Sequence, residues 1–269
     1  MVDIRSSGST PDHNRITTNV RSRYSGGDIF FKEDFRSPAT SFWNDGLGSC
    51  SRDCDITFVG LPSLRLDPQG QVVSGSPTNP GRTAATSGVI AKRRIHDGFT
   101  GRFGIEMWFR FTSLNLTSNS FLSMSLYNRD GTNAYHSRVW LDPTGNNQPM
   151  QAKILDGVAS AGGTATYVTA STSVLQNGAG SHTYDLATGR LDRAGGWHYV
   201  KLVTDMNTKR YVSLQLDGQT PVDISTYQMD VTSSAGFAGM HFSAEFSATT
   251  STARFVNIAQ LVGTVEYGY

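Results

Sequence analysis

The chain is poor in the residues that build surface helices. Glutamate occurs only at Glu33, Glu106, Glu245 and Glu266, and lysine only at Lys32, Lys92, Lys153, Lys201 and Lys209, in a chain of 269 residues. Both residues lose little rotamer freedom in a helix, so helical surfaces draw on them heavily. Their scarcity beside plentiful Thr, Val, Phe and Tyr predicts strands joined by turns. No apolar run approaches the ~20 residues that cross a bilayer as a helix, so no membrane partner is expected. The net charge of +1 excludes a globally basic nucleic-acid binder and an acidic solvating chain. The opening MVDIRSSGSTPDHNR lacks the apolar stretch of a secretory signal. Either the mature form begins there, or the chain is made and used without that export route.

Cysteine is nearly absent too. Cys50 and Cys54 stand together in GSCSRDCDI, with no second pair to complete a zinc site. A local disulfide would close a very short loop and add little stability; the alternative is two thiols in a surface loop. The six histidines, at 13, 96, 136, 182, 198 and 241, show neither the i, i+2 nor the i, i+4 spacing of a metal site. No Gly-x-Ser-x-Gly elbow is present.

What is there divides in two. Residues 1–27 are polar and without hydrophobic period, carrying Arg5, Arg15, Arg21, Arg23 and Tyr24. By composition they form an extended arm, not a domain. Ordering such an arm costs about 1–2 kcal/mol per residue, so it takes a grip from its own domain or from a neighbouring subunit. Residues 28–269 are expected to be one β domain. DIFFKEDFRSPATSFWNDG supplies the aromatics Phe30, Phe31, Phe35, Phe42 and Trp43 for its core. The stretch FGIEMWFRF puts Phe103, Ile105, Met107, Phe109 and Phe111 on one face, with Glu106, Trp108 and Arg110 on the other. That period of two marks a half-buried antiparallel strand. SFLSMSLYN points Leu122, Met124 and Leu126 inward; SRVWLDP, MQAKILDG, ATYVTA and HTYDLA are further strand candidates. GGWHYVKLVTDMNTKRYVSLQLDGQ reads as two strands around a polar turn, and RFVNIAQLVGTV as a last strand alternating through Val256, Ile258 and Val262. Strands and turns at such spacing predict a two-sheet antiparallel jelly-roll sandwich.

FGIEMWFRF, then GGWHYVKLVTD and a strand ending LQLDGQ, resemble the concanavalin A-like lectin/glucanase and laminin G group. DFRSPATSFWNDG and SLRL resemble the opening strands of such domains, so the likeness runs from about residue 28 to the end and leaves the arm outside. That group includes sugar-binding modules, glycosidases, adhesion domains and virion proteins, and fold alone does not choose among them. Its glucanases carry a Glu-x-Asp-x-x-Glu or similar strand motif, and this sequence has none. Glu106 is instead expected opposite an Arg or Lys on the next strand. No catalytic residue, cofactor or metal ligand is expected. Calcium is the one ion that the oxygens of NRDGTNAY (Asn128, Asp130, Asn133) would suit, but the same residues make a plain hairpin turn. Sugar binding needs aromatic platforms beside polar groups, and Trp108 and Trp140 are the outward candidates.

These readings lead to an expected function: a non-catalytic structural protein of a virus particle, a phage capsid decoration or tail component. It would be assembled in the host cytoplasm and docked by the arm onto other virion subunits, including copies of itself. The alternative is a carbohydrate-binding module or adhesin that recognises surface glycans; a glycoside hydrolase ranks behind both. The four arginines of the arm, without interleaved aromatics, serve contacts to protein as readily as nucleic acid.

Overall fold

The computed structural model describes residues 28–36, 43–44, 49–67, 87–96, 100–111, 121–143, 150–157, 166–171, 197–216, 220–233, 239–248 and 256–266. The arm residues and the strand candidate HTYDLA lie outside them, as does Phe42. The described residues form β1 (Asp28–Glu33), β2 (Trp43–Asn44), β3 (Ser49–Phe58), β4 (Leu61–Asp67), β5 (Ser87–His96) and β6 (Arg102–Phe111). There follow β7 (Phe121–Arg129), β8 (Asn133–Pro143), β9 (Met150–Asp156), β10 (Thr166–Ser171) and β11 (His198–Asp205). The last are β12 (Arg210–Leu216), β13 (Val222–Asp223), β14 (Asp230–Ser233), β15 (Gly239–Ala248) and β16 (Val256–Glu266).

The strands make two antiparallel sheets of eight strands each, a β-sandwich. The first sheet runs β13-β12-β11-β6-β16-β4-β3, with β1 also on β16; the second runs β10-β9-β8-β7-β15-β5-β2, with β14 also on β8. Alternation fills the space between them. Phe103, Ile105, Met107 and Phe109 of β6 face Leu122, Met124 and Leu126 of β7 and Met240, Phe242, Ala244 and Phe246 of β15 in one buried cluster. Each of the Phe, Leu, Ile and Met side chains among them contributes roughly 1.5–3 kcal/mol by leaving water.

Two sequence expectations need correction. The last strand does not alternate evenly. Gln260 is the extra residue of a β-bulge, in the left-handed region at φ 48°. Ile258 therefore pairs with Phe109 and Leu261 with Met107, while Val262 pairs with Glu106 on the outer face. An extra residue flips the parity of everything after it. The cysteines, secondly, stand in β3 and not in a surface loop. Cys50 pairs with Leu66 and packs against the core, whereas Cys54 is exposed; both are free thiols. Four residues of extended chain span about 13 Å, well beyond the reach of a disulfide. Burial pushes the Cys50 thiol up to about 12, which leaves it an inert core residue.

One side chain ties the sheets together. Tyr211 of β12 is fully buried, and its hydroxyl donates to the carbonyl of Leu155 at 2.7 Å while accepting from the backbone N–H of Arg138 at 3.0 Å. A strand of the first sheet thus holds the backbone of β8 and β9 in the second.

Candidate functional site

The outer face of the second sheet carries an assembly of aromatic and polar groups. Antiparallel register lays them out in three rows. One row pairs Trp140 of β8 with Ser123 of β7, and Ser123 with Glu245 of β15. The next pairs Arg138 with Ser125 and Ser125 with Ser243. The third pairs His136 with Tyr127 and Tyr127 with His241. These positions share a face because their neighbours Leu122, Met124, Leu126, Val139, Phe242 and Ala244 all point into the core.

Arg138 organises the centre. Its Nη2 lies 2.5 Å from Glu245 Oε2 and donates to Ser123 Oγ at 2.9 Å. Its guanidinium also lies over the Trp140 ring, 5.6 Å from the centroid. Side-chain exposures of 17% for Arg138 and 13% for Glu245 place the pair below the surface but within reach of it. A charge-assisted bond between partners this desolvated is stronger than an exposed one. It fixes donors, an acceptor and an indole in one geometry. Ser123, Ser125 and Ser243 are buried and small, so they form a low polar strip beside the taller Trp140, Arg138 and Tyr127.

At one end of the strip His136 stacks on Tyr127, with ring centroids 3.9 Å apart and planes 15° apart. Burial, with Arg138 nearby, pushes the His136 imidazole down to about 3, so it is neutral at ordinary pH. Its Nε2 is buried and has no hydrogen-bond partner among the described residues. Beyond it lies the β7–β8 turn. Asp130 Oδ1 accepts from the N–H groups of Thr132 at 2.9 Å and Asn133 at 2.7 Å, and Oδ2 accepts from the Tyr135 hydroxyl at 2.8 Å. Backbone N–H donation to the charged form, chiefly from Asn133 and Thr132, lowers the Asp130 carboxyl to about 2. Gly131 takes φ 96° in the same turn. The Asp130 oxygens considered for calcium thus serve hairpin geometry. Among the described residues no group of three His, Cys, Asp or Glu side chains could hold a metal.

The remaining predicted site residues lie elsewhere. Trp108 is on the outer face of the first sheet, where its ring meets Phe58 at 4.8 Å and Tyr199 at 5.2 Å; Trp197 in turn contacts Phe58 at 5.3 Å. Trp108 is packed into an aromatic cluster. Glu106 pairs with Lys201 on the adjacent strand, as cross-strand logic predicts, with Nζ and Oε1 3.5 Å apart. Lys201 Nζ is also 2.6 Å from Glu266 Oε1, making a buried acid–base–acid cluster. Arg5, Arg15, Arg21, Arg23 and Tyr24, the expected assembly contacts, lie outside the described residues.

Sequence reasoning singled out Trp140 but not Arg138, Glu245, Tyr127 or the serines that share its face. A signal for half of them was present: HSRVW puts His136, Arg138 and Trp140 on one face by period two, and SFLSMSLY does the same for Ser123, Ser125 and Tyr127. Glu245 gave none, because its place beside Arg138 comes from β15 joining β7 across more than a hundred residues.

No family model matches the chain, and no curated protein matches it. Among solved structures it is similar to the carbohydrate esterase of the Shiga toxin-encoding bacteriophage phi24B, with 13% identity over 90% of this chain and 100% of that one and a TM-score of 0.46. It is similar also to a legume lectin-like domain from Entamoeba histolytica, with 8% identity over 88% of this chain and 97% of that one and a TM-score of 0.46. The carbohydrate recognition domain of Emp47p is a third, with 11% identity over 91% of this chain and 96% of that one and a TM-score of 0.43.

Proposed function

We propose that this chain is a non-catalytic carbohydrate-binding module whose saccharide lies on the outer face of the second sheet. The observation that carries the reading is the grouping of Trp140 with the Arg138–Glu245 bridge above a strip of buried serines. An indole offers a flat apolar surface to the C–H face of a sugar ring. Fixed guanidinium and carboxylate groups offer donors and acceptors to its hydroxyls. Because Arg138 is already held by Glu245 and Ser123, little side-chain entropy remains to be lost on binding. Pockets that fix orientation with a few polar groups beside an aromatic are the usual form of a small-ligand site.

A glycan array on the purified chain, followed by titration of the best binder, tests this. Trp140→Ala is expected to weaken binding by about tenfold or more, the loss of about 1.4 kcal/mol or more of contact, with an unchanged circular dichroism spectrum. An array without hits, or binding indifferent to Trp140→Ala and Arg138→Ala alike, would sink the reading. A role as a virion decoration or tail component docked through residues 1–27 concerns residues outside the described ones. Glycan binding does not require it.

A further inference from the structure

We infer that Lys201 and Glu266 condense into a side-chain amide, a covalent cross-link from β11 to β16 made with Glu106 as proton carrier. The inference is independent of glycan binding. It begins with three neighbouring strands of the first sheet, in the order β11-β6-β16. Lys201 stands directly opposite Glu106 of β6, yet its Nζ comes closer to β16: 2.6 Å from Glu266 Oε1 against 3.5 Å from Glu106 Oε1. An amine, the carboxyl it would join and a second carboxyl group thus meet at one point.

Gly104 of β6 makes that meeting possible. A Cβ there would lie 2.9 Å from Lys201 Cε and 2.6 Å from Glu266 Oε1, crowding both groups. Little water reaches them, for the side chains are 6% exposed at Lys201, 2% at Glu106 and 13% at Glu266, and Thr264 beside them is fully buried. The nearby cation has another partner. Arg102, opposite Glu266 in register, bridges Asp205, with Nε 3.2 Å from Oδ2.

The step balances without any further reagent. Glu106 takes a proton from the Lys201 ammonium and passes it to Glu266 Oε2, which leaves a neutral amine beside a neutral acid. The Nζ lone pair then attacks Glu266 Cδ. Thr264 Oγ1 donates to Oε1 at 2.5 Å and so steadies the oxygen on which negative charge develops. The Nζ–Cδ bond forms and the Cδ–Oε2 bond breaks. Glu106 carries a second proton from Nζ to Oε2, which departs as water. Ammonium and carboxylate have become an amide and one water molecule, with Glu106 unchanged. Two effects favour this over a lasting ion pair. Groups held side by side react as if at effective concentrations on the order of 10⁵–10⁸ M. Condensation also removes one positive and one negative charge from a site where neither is well solvated. The product fastens β16 to β11 across β6, so β16 stays attached when its ladder hydrogen bonds open.

The test is the mass of the purified, denatured full chain, followed by a peptide map. The expected mass is one water below that of the linear chain, with a branched peptide joining Lys201 to Glu266. Asp-Gly pairs such as Asp130-Gly131 lose the same mass when they close to cyclic imides. Mild base reopens an imide and leaves the amide intact, so treatment with base separates the two. Glu106→Leu should keep the fold by circular dichroism and show the full mass, because the proton carrier is gone while Lys201 and Glu266 remain as a pair. The mass of the unaltered chain stands even if that variant folds poorly. A full mass for the unaltered chain would overturn the inference, as would a water loss mapped elsewhere, a bond from Lys201 to Glu106 included. A folded Glu106→Leu chain that still carries the cross-link would overturn the part given to Glu106.

Discussion

Individual side chains on the outer face of the second sheet differ sharply in how their surroundings treat charge. The Arg138 guanidinium has acceptors in Glu245 and Ser123. His136, two residues away on the same face, loses its charge because burial gives the imidazolium nothing comparable. Its folded value near 3 lies below the ordinary 6.5. Between those values an unfolded chain holds a proton on this imidazole and the folded chain does not, so stability from this group falls as pH drops from about 6.5 toward 3. Chemical denaturation midpoints measured over that range should decline, and His136→Gln should flatten the decline. A His136 NMR titration near pH 6.5 would contradict the structure. Asp130 works in the other sense: its depressed value near 2 means that its contribution is present above about pH 4 and lost as pH falls through 2.

Whole strands fit together through small irregularities that pattern reading does not register. Gly104 of β6 has no Cβ, and a methyl group there would lie 2.6 Å from Glu266 Oε1 and 2.9 Å from Lys201 Cε, and would clash with Thr264 Oγ1. That gap is where Lys201 settles between Glu106 and Glu266. Gly104→Ala should destabilise the protein by about 1–3 kcal/mol, the usual effect of overpacking, read as a lower urea midpoint at unchanged slope. An unaltered midpoint would mean that the three strands have slack there. The same strands show where legibility ended. The alternation of FGIEMWFRF foretold which of its residues enter the core and that Glu106 would meet a cross-strand cation. The evenness assumed for RFVNIAQLVGTV failed at Gln260, because a bulge is fixed by what lies opposite and leaves no mark in hydrophobic period.

At the scale of the whole molecule the two sheets must hold a fixed relation for the outer face to keep its geometry. Tyr211 supplies one explicit tie, from β12 through the core to the carbonyl of Leu155 and the N–H of Arg138. Tyr211→Phe removes the hydroxyl and leaves those backbone groups poorer in partners, an expected cost of about 1–3 kcal/mol. Because the N–H belongs to Arg138, saccharide binding should weaken along with stability. Binding unchanged in a destabilised variant would separate the tie from the site.

Composition and alternation by themselves determined an all-β chain, two antiparallel sheets, most of the core, and the outward position of Trp140. Those properties depend on neighbours two residues apart, and a strand carries that period in its own residues. Only the tertiary structure decided that Trp108 is packed beneath aromatics while Trp140 stands beside Arg138, and that Glu245, Ser243 and Ser125 share one surface. Which strand lies beside which is set by burial over the whole chain, so the meeting of residues more than a hundred positions apart is a property of the sandwich and not of any segment.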